Sequence, residues 1–124
     1  MIMKTKQFSF RARARSFRYA WEGVHTFFAQ EHNAWIHLAA SFTVFIAAWI
    51  VNVSGKEMVL LILATGLVWV AEIFNTAIEH AIDFVSPGYH PAVKRIKDIS
   101  AAAVLVAAFI SVITGAYVFI PKFF

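Results

Sequence analysis

The chain has 124 residues, 60% of them hydrophobic, and a mean hydropathy of +0.69, far above the roughly 45–50% apolar content of a soluble globular domain. One domain, residues 1–124, with lipid as its solvent is expected at this length, which leaves no room for a separate soluble catalytic domain. The absence of cysteine excludes disulfides, thiolate nucleophiles and cysteine-ligated metals, and the net charge of +4 sits beside apolar runs, where anionic lipid headgroups rather than nucleic acid are the expected partner.

The chain opens with Lys4, Lys6, Arg11, Arg13, Arg15 and Arg18, and no short apolar core with a cleavage site follows, so no cleaved signal peptide is expected. Phe10, Ala14, Phe17, Trp21, Val24 and Phe28 recur at alternating spacings of four and three, which defines one face of a helix. Arg11, Arg15, Arg18 and Glu22 form the polar stripe beside it. A basic amphipathic helix within residues 1–30 fits the membrane surface. The same pattern is compatible with packing on other helices of the protein.

Three apolar stretches follow, at about residues 34–53, 58–78 and 99–120, each long enough to span a bilayer. Asn52, Ser54, Gly55, Lys56 and Glu57 mark a tight turn after the first; Ser86, Pro87, Gly88 and Pro91 break the chain after the second. Lys and Arg bias their segments toward the cytoplasm. They cluster before the first stretch and at Lys94, Arg95 and Lys97, which places the N-terminus and the second connection on the cytoplasmic face of a multi-pass protein. In the third stretch Ala103, Ala107, Ser111 and Gly115 repeat every four residues, a row that lets helix backbones approach closely in lipid.

The chemistry concentrates in A-E-I-F-N-T-A-I-E-H-A-I-D, from Ala71 to Asp83. At about 100° per residue, Asn75 falls about 60° to one side of Glu72, Thr76 about 40° to the other, and Glu79 and Asp83 within about 20°, so the five share one face. Ionisable residues within a span are costly and usually mark a functional path. Asn75 and Thr76 taken singly are ordinary interhelical hydrogen-bonding residues.

A second group is Glu31, Asn33, His37 and Ser41 at the entry of the first stretch. Glu31 stands at the depth where Glu79 emerges, and a pair of oxygen ligands suits Mg²⁺ bridged to phosphate. His37 is either part of that site or a satisfied polar residue between helices. Lys94 and Arg95 read as a positive flank, whereas Lys97 and Asp98 abut the membrane, where a lysine can neutralise nucleotide phosphates. No P-loop and no protein-kinase signature is present.

These pieces resemble the prokaryotic diacylglycerol kinase and undecaprenol kinase family of small three-span enzymes with a surface helix. The resemblance is carried by Y-A-W-E-G from Tyr19, E-H-N-A-W-I-H from Glu31, E-I-F-N-T-A-I-E-H-A-I-D from Glu72, Y-H-P from Tyr89 and K-D-I-S-A-A-A-V-L from Lys97. It implies an all-α membrane protein, a homotrimer with sites shared between subunits, that phosphorylates a lipid alcohol with ATP in the bacterial cytoplasmic (inner) membrane.

By the same resemblance Glu72 is the general base and lipid contact, with Asn75 beside it. Glu31 and Glu79 are the Mg²⁺ carboxylates at the nucleotide, and Tyr19, Asp83, Gly88, Tyr89, His90, Lys97 and Asp98 are further nucleotide positions. Ala12, between Arg11 and Arg13, stands where relatives can carry a nucleotide-contacting arginine. The Glu31, Asn33, His37 element is more similar to the undecaprenol kinases than to the Gram-negative diacylglycerol kinases, so undecaprenol is the expected substrate and diacylglycerol the alternative. An oligomeric proton or ion pathway is the competing class. It calls for ionisable residues near the midplane with access from both sides, whereas these carboxylates gather toward one face. A purely structural subunit needs no carboxylate stripe.

Overall fold

A computed structural model describes Thr5 and residues 7–124, so Lys4 and Lys6 of the basic segment lie outside the described residues. Every regular element among the described residues is an α-helix: α1 (Phe10–Gln30), α2 (His32–Ile50), α3 (Gly55–Val85) and α4 (Pro91–Phe123). The all-helical class expected from the sequence holds, and α2, α3 and α4 are each long and apolar enough to cross a membrane. Both α3 and α4 overrun their apolar stretches, because the polar residues at 79–83 and 94–98 are good enough helix formers to continue the helix past the apolar part.

Ser9 starts α1, its side chain accepting the N–H of Ala12 at 3.4 Å. The helix is exposed along most of its length and buries only Phe27. It ends at Glu31, whose extended backbone (φ −113°, ψ 112°) forms the elbow into α2. An aromatic cluster braces that elbow. The Trp35 indole donates to the Phe28 carbonyl at 3.0 Å, and the Phe27 and Phe28 rings lie 6.3 and 5.6 Å from Trp69 of α3.

The turn from α2 to α3 follows from local chemistry. Asn52 takes the left-handed conformation (φ 54°) that closes a helix, with the Asn52 N–H on Trp49 O at 3.2 Å and the Val53 N–H on Ala48 O at 3.1 Å. Ser54 and Glu57 then form a reciprocal capping box for α3. Ala48, Leu61 and Val118 make a small buried core beside this turn, tying α2, α3 and α4 together.

α4 begins after His90, whose ring Nδ1 accepts the N–H of Ala92 at 3.0 Å, with Pro91 at the first helical position. The main packing interface lies between α3 and α4. The row of small residues enters it only in part: Ala107 is buried, Ser111 and Gly115 half-buried, and Ala103 exposed. Phe42, Trp49, Leu63, Phe74 and Phe109 are exposed. Such faces suit contact with lipid or another chain rather than with water.

Candidate active site

Along α3 the polar stripe is graded in depth. Glu72 and Thr76 are buried, at 7% and 6% exposure, Asn75 and Glu79 are half-buried, and Asp83 is exposed near the helix end. Glu72 faces α2, where its Oε1 meets His37 Nε2 at 2.6 Å. Trp69, one turn earlier on α3, donates its indole N–H to Ser41 Oγ at 2.9 Å, and the Ser41 hydroxyl donates to the His37 carbonyl at 2.7 Å. Two residues of α2 and two of α3 therefore form a closed frame around the carboxylate. Asn33, predicted on the same row as His37 and Ser41, is exposed and outside that frame.

Asn75 turns the other way, toward α4, where Ser100 donates to its Oδ1 at 2.7 Å. The pair lies in a groove of about 470 Å³ between α3 and α4 whose remaining wall is apolar, including Leu67, Phe74, Ala103 and Ile110. Glu72 and Asn75, predicted as neighbours on one face, thus address adjacent faces of α3 within one chain.

At the end of the stripe a cavity of about 390 Å³ is lined by Asp83, Gly88, Tyr89, His90, Lys97 and Asp98, among others. Six of the predicted nucleotide positions are therefore brought together by the short connection between α3 and α4. Lys97 pairs with Asp83 at 2.7 Å and Lys94 with Asp98 at 2.6 Å. Lys97 precedes the apolar stretch of α4, and its hydrogen bond to the Asp83 carboxylate holds its ammonium above the ordinary lysine range. It is cationic wherever nucleotide phosphates are anionic.

Glu31 and Glu79 do not line this cavity. From the α1–α2 elbow Glu31 reaches His80 of α3 at 3.7 Å, immediately beside Glu79. Glu79 has no hydrogen-bond or ion-pair partner among the described residues, and no three His, Asp or Glu side chains converge there into a metal cage. Tyr19 is exposed on α1 under the guanidinium of Arg18, 5.4 Å away, and is also absent from the cavity lining. A larger cavity, about 780 Å³, lies at the opposite end beside Ser54, Glu57 and Lys122 and contains none of the predicted site residues.

The sequence reading left out His80, Trp69 and Ser100. His80 carried a usable signal, standing next to Glu79. Ser100 and Trp69 carried none, since an isolated Ser or Trp in a helix is commonplace.

The family model of prokaryotic diacylglycerol kinase matches residues 18–119, nearly the whole of the described chain. The chain belongs to this family. It is a membrane lipid kinase, and the reaction of the family is ATP-dependent phosphorylation. Over 108 residues the kinase is 38% identical to a protein named undecaprenol kinase from Bacillus subtilis, covering 87% of this chain and 88% of that one. It is 39% identical over 107 residues to a diacylglycerol kinase from Synechocystis, covering 86% of this chain and 61% of the relative. A diacylglycerol kinase from Escherichia coli K12 is 38% identical over 104 residues, covering 77% of this chain and 79% of its own. The match starts just before Tyr19, so it takes in every site residue named above and leaves out the basic segment around Ala12.

Proposed function

We propose that this lipid kinase transfers the γ-phosphoryl group of ATP to the hydroxyl of undecaprenol, giving undecaprenyl phosphate and ADP, with Glu72 as general base. The observation that carries this reading is the buried Glu72 carboxylate, held at 2.6 Å by His37 on the stripe that ends at the lysine-bearing cavity. In the transfer the lipid O–H bond breaks and its proton passes to Glu72. The lipid oxygen bonds to the γ-phosphorus as the bond to the bridging oxygen of ADP breaks. Phosphoryl transfer needs mainly positioning and charge neutralisation, so a base, a lysine and a divalent cation held by a pair of carboxylates would suffice. Seven residues at about 1.5 Å each set Glu72 about 10 Å along α3 from Glu79, which separates the lipid end of the site from its phosphate end.

Asn75 presents an amide to the otherwise apolar groove shared with Ser100, a composition suited to a lipid chain, and Glu72 of the same chain stands outside that groove, on the adjacent face of α3. Lys97 compensates phosphate charge at the cavity with Asp83, Gly88, Tyr89, His90 and Asp98. Glu31 and Glu79 are hard oxygen donors that fit Mg²⁺, and the absence of a three-ligand cluster among the described residues leaves most of the coordination sphere to phosphate oxygens and water. When bound there, Mg²⁺ supplies positive charge to the phosphates. Tyr19 and Glu31 stand apart from the cavity within one chain, which favours a homotrimer in which neighbouring subunits complete each site. The Lys and Arg distribution supports an N-terminus on the cytoplasmic side of the inner membrane.

Undecaprenol is favoured over diacylglycerol by the Glu31, Asn33, His37 element and by the near-complete mutual coverage with the Bacillus subtilis undecaprenol kinase. The test is labelled-phosphate transfer from ATP with Mg²⁺ to each lipid in separate mixed micelles, with Glu72→Gln as control. Transfer to undecaprenol that the variant loses supports the reading. Transfer to diacylglycerol alone reassigns the substrate, and transfer to neither lipid by folded protein rejects the reading.

A further inference from the structure

We infer that His37 is the positioning residue of the general base: its Nε2–H donates to one carboxylate oxygen of Glu72 and thereby aims the other oxygen at the lipid hydroxyl. This rests on the reading of Glu72 as the base. A carboxylate about to accept a proton has none to donate, so the 2.6 Å contact requires the imidazole to carry its hydrogen on Nε2. The Glu72 side chain is 10% exposed, and His37 is its only hydrogen-bonding partner among the described residues. Without that bond no other hydrogen bond among the described residues fixes the direction of the carboxylate.

The histidine is itself fixed. Its ring meets Trp69 in a T-shaped arrangement at 6.2 Å, Trp69 is tied to Ser41 at 2.9 Å, and Ser41 is tied to the His37 carbonyl at 2.7 Å. Spacings of four on α2 (His37, Ser41) and three on α3 (Trp69, Glu72) bring each pair onto one helix face, so the two faces lock as a unit. In an apolar interface an unpaired carboxylate is costly, and a positioned donor both satisfies it and sets its direction.

The test compares His37→Phe, His37→Asn and His37→Gln in the full chain, with helical content and oligomer size as folding controls. Gln carries an amide N–H near the place of the ring Nε2, whereas the shorter Asn is polar but cannot reach. His37→Phe and His37→Asn are each expected to lower kcat by about 10- to 100-fold, the usual effect of losing a hydrogen bond to a charged group. The KM for ATP and for lipid should stay within about twofold, and His37→Gln should recover kcat to within about fivefold of the parent. Combined with Glu72→Gln, His37→Phe should cost nothing further, because the two residues act as one unit.

The inference is overturned by an unchanged kcat in His37→Asn and His37→Phe, by a loss confined to KM, or by a His37→Gln variant as poor as His37→Asn. If Glu72→Gln is inactive while the His37 variants are normal, only this inference fails. If Glu72→Gln is itself active, the base assignment fails with it.

Discussion

The two ends of the helix bundle solve the same problem in opposite ways. At the α2–α3 turn the bonds that end the helices are made close by in sequence: Asn52 and Val53 close α2, Ser54 and Glu57 cap α3, and an apolar core of Ala48, Leu61 and Val118 lies beneath. A long-range tie joins Lys122 to Glu57 at 3.2 Å. At the other end the polar groups pair across helices, His37 with Glu72, Ser100 with Asn75, Lys97 with Asp83 and His80 with Glu31. Local pairing serves to end helices. Pairing between residues 14 to 49 positions apart in the chain is what brings the residues of the proposed site together.

Substitutions that leave one end intact while damaging the other sharpen this contrast. The largest effect is expected from Glu72→Gln, which should lower phosphoryl transfer by on the order of 10²–10⁴-fold, the usual contribution of a general base, while nucleotide binding by calorimetry is retained. Lys97→Ala should reduce kcat/KM for ATP by about 10- to 100-fold through loss of a charged partner to phosphate, with lipid KM unaffected in initial-rate kinetics. Asn75→Ala should be milder, about tenfold and on the lipid side, with Ser100→Ala milder again because it removes only the partner that orients the amide. Ser54→Ala at the opposite end should lower stability by about 1 kcal/mol in detergent unfolding and leave every kinetic constant unchanged. A catalytic defect in Ser54→Ala, or a purely stability-based defect in Lys97→Ala, would break the contrast.

Much of this was legible in the sequence, for identifiable reasons. Long apolar stretches announce helices in lipid, and carboxylates spaced at seven and four announce a face. Hydropathy marks only the part of a helix that meets hydrocarbon, so α3 and α4 extend beyond stretches bounded at 78 and 99. Glu31 was visible as a boundary, and the cavity at the α3–α4 connection as a cluster of positions on either side of one short connection. The partners of those residues were not visible. Whether His37 meets Glu72, or Ser100 meets Asn75, depends on how α2 and α4 are rotated about their axes against α3, which is fixed by side chains such as Trp69 and Ala107 that carry no chemical signature. For the same reason one helical face split in two, with Glu72 directed at α2 and Asn75 at α4.

Internal competition tests both the substrate and the base at once: undecaprenol and diacylglycerol, equimolar in one reconstituted membrane with the kinase, labelled ATP and Mg²⁺, and the products separated. The ratio of the two labelled lipids gives the ratio of kcat/KM values free of differences in micelle composition. Label is expected predominantly in undecaprenyl phosphate and is expected to be lost from both products in Glu72→Gln. Label predominantly in phosphatidic acid, or labelled product that persists in Glu72→Gln, would contradict it.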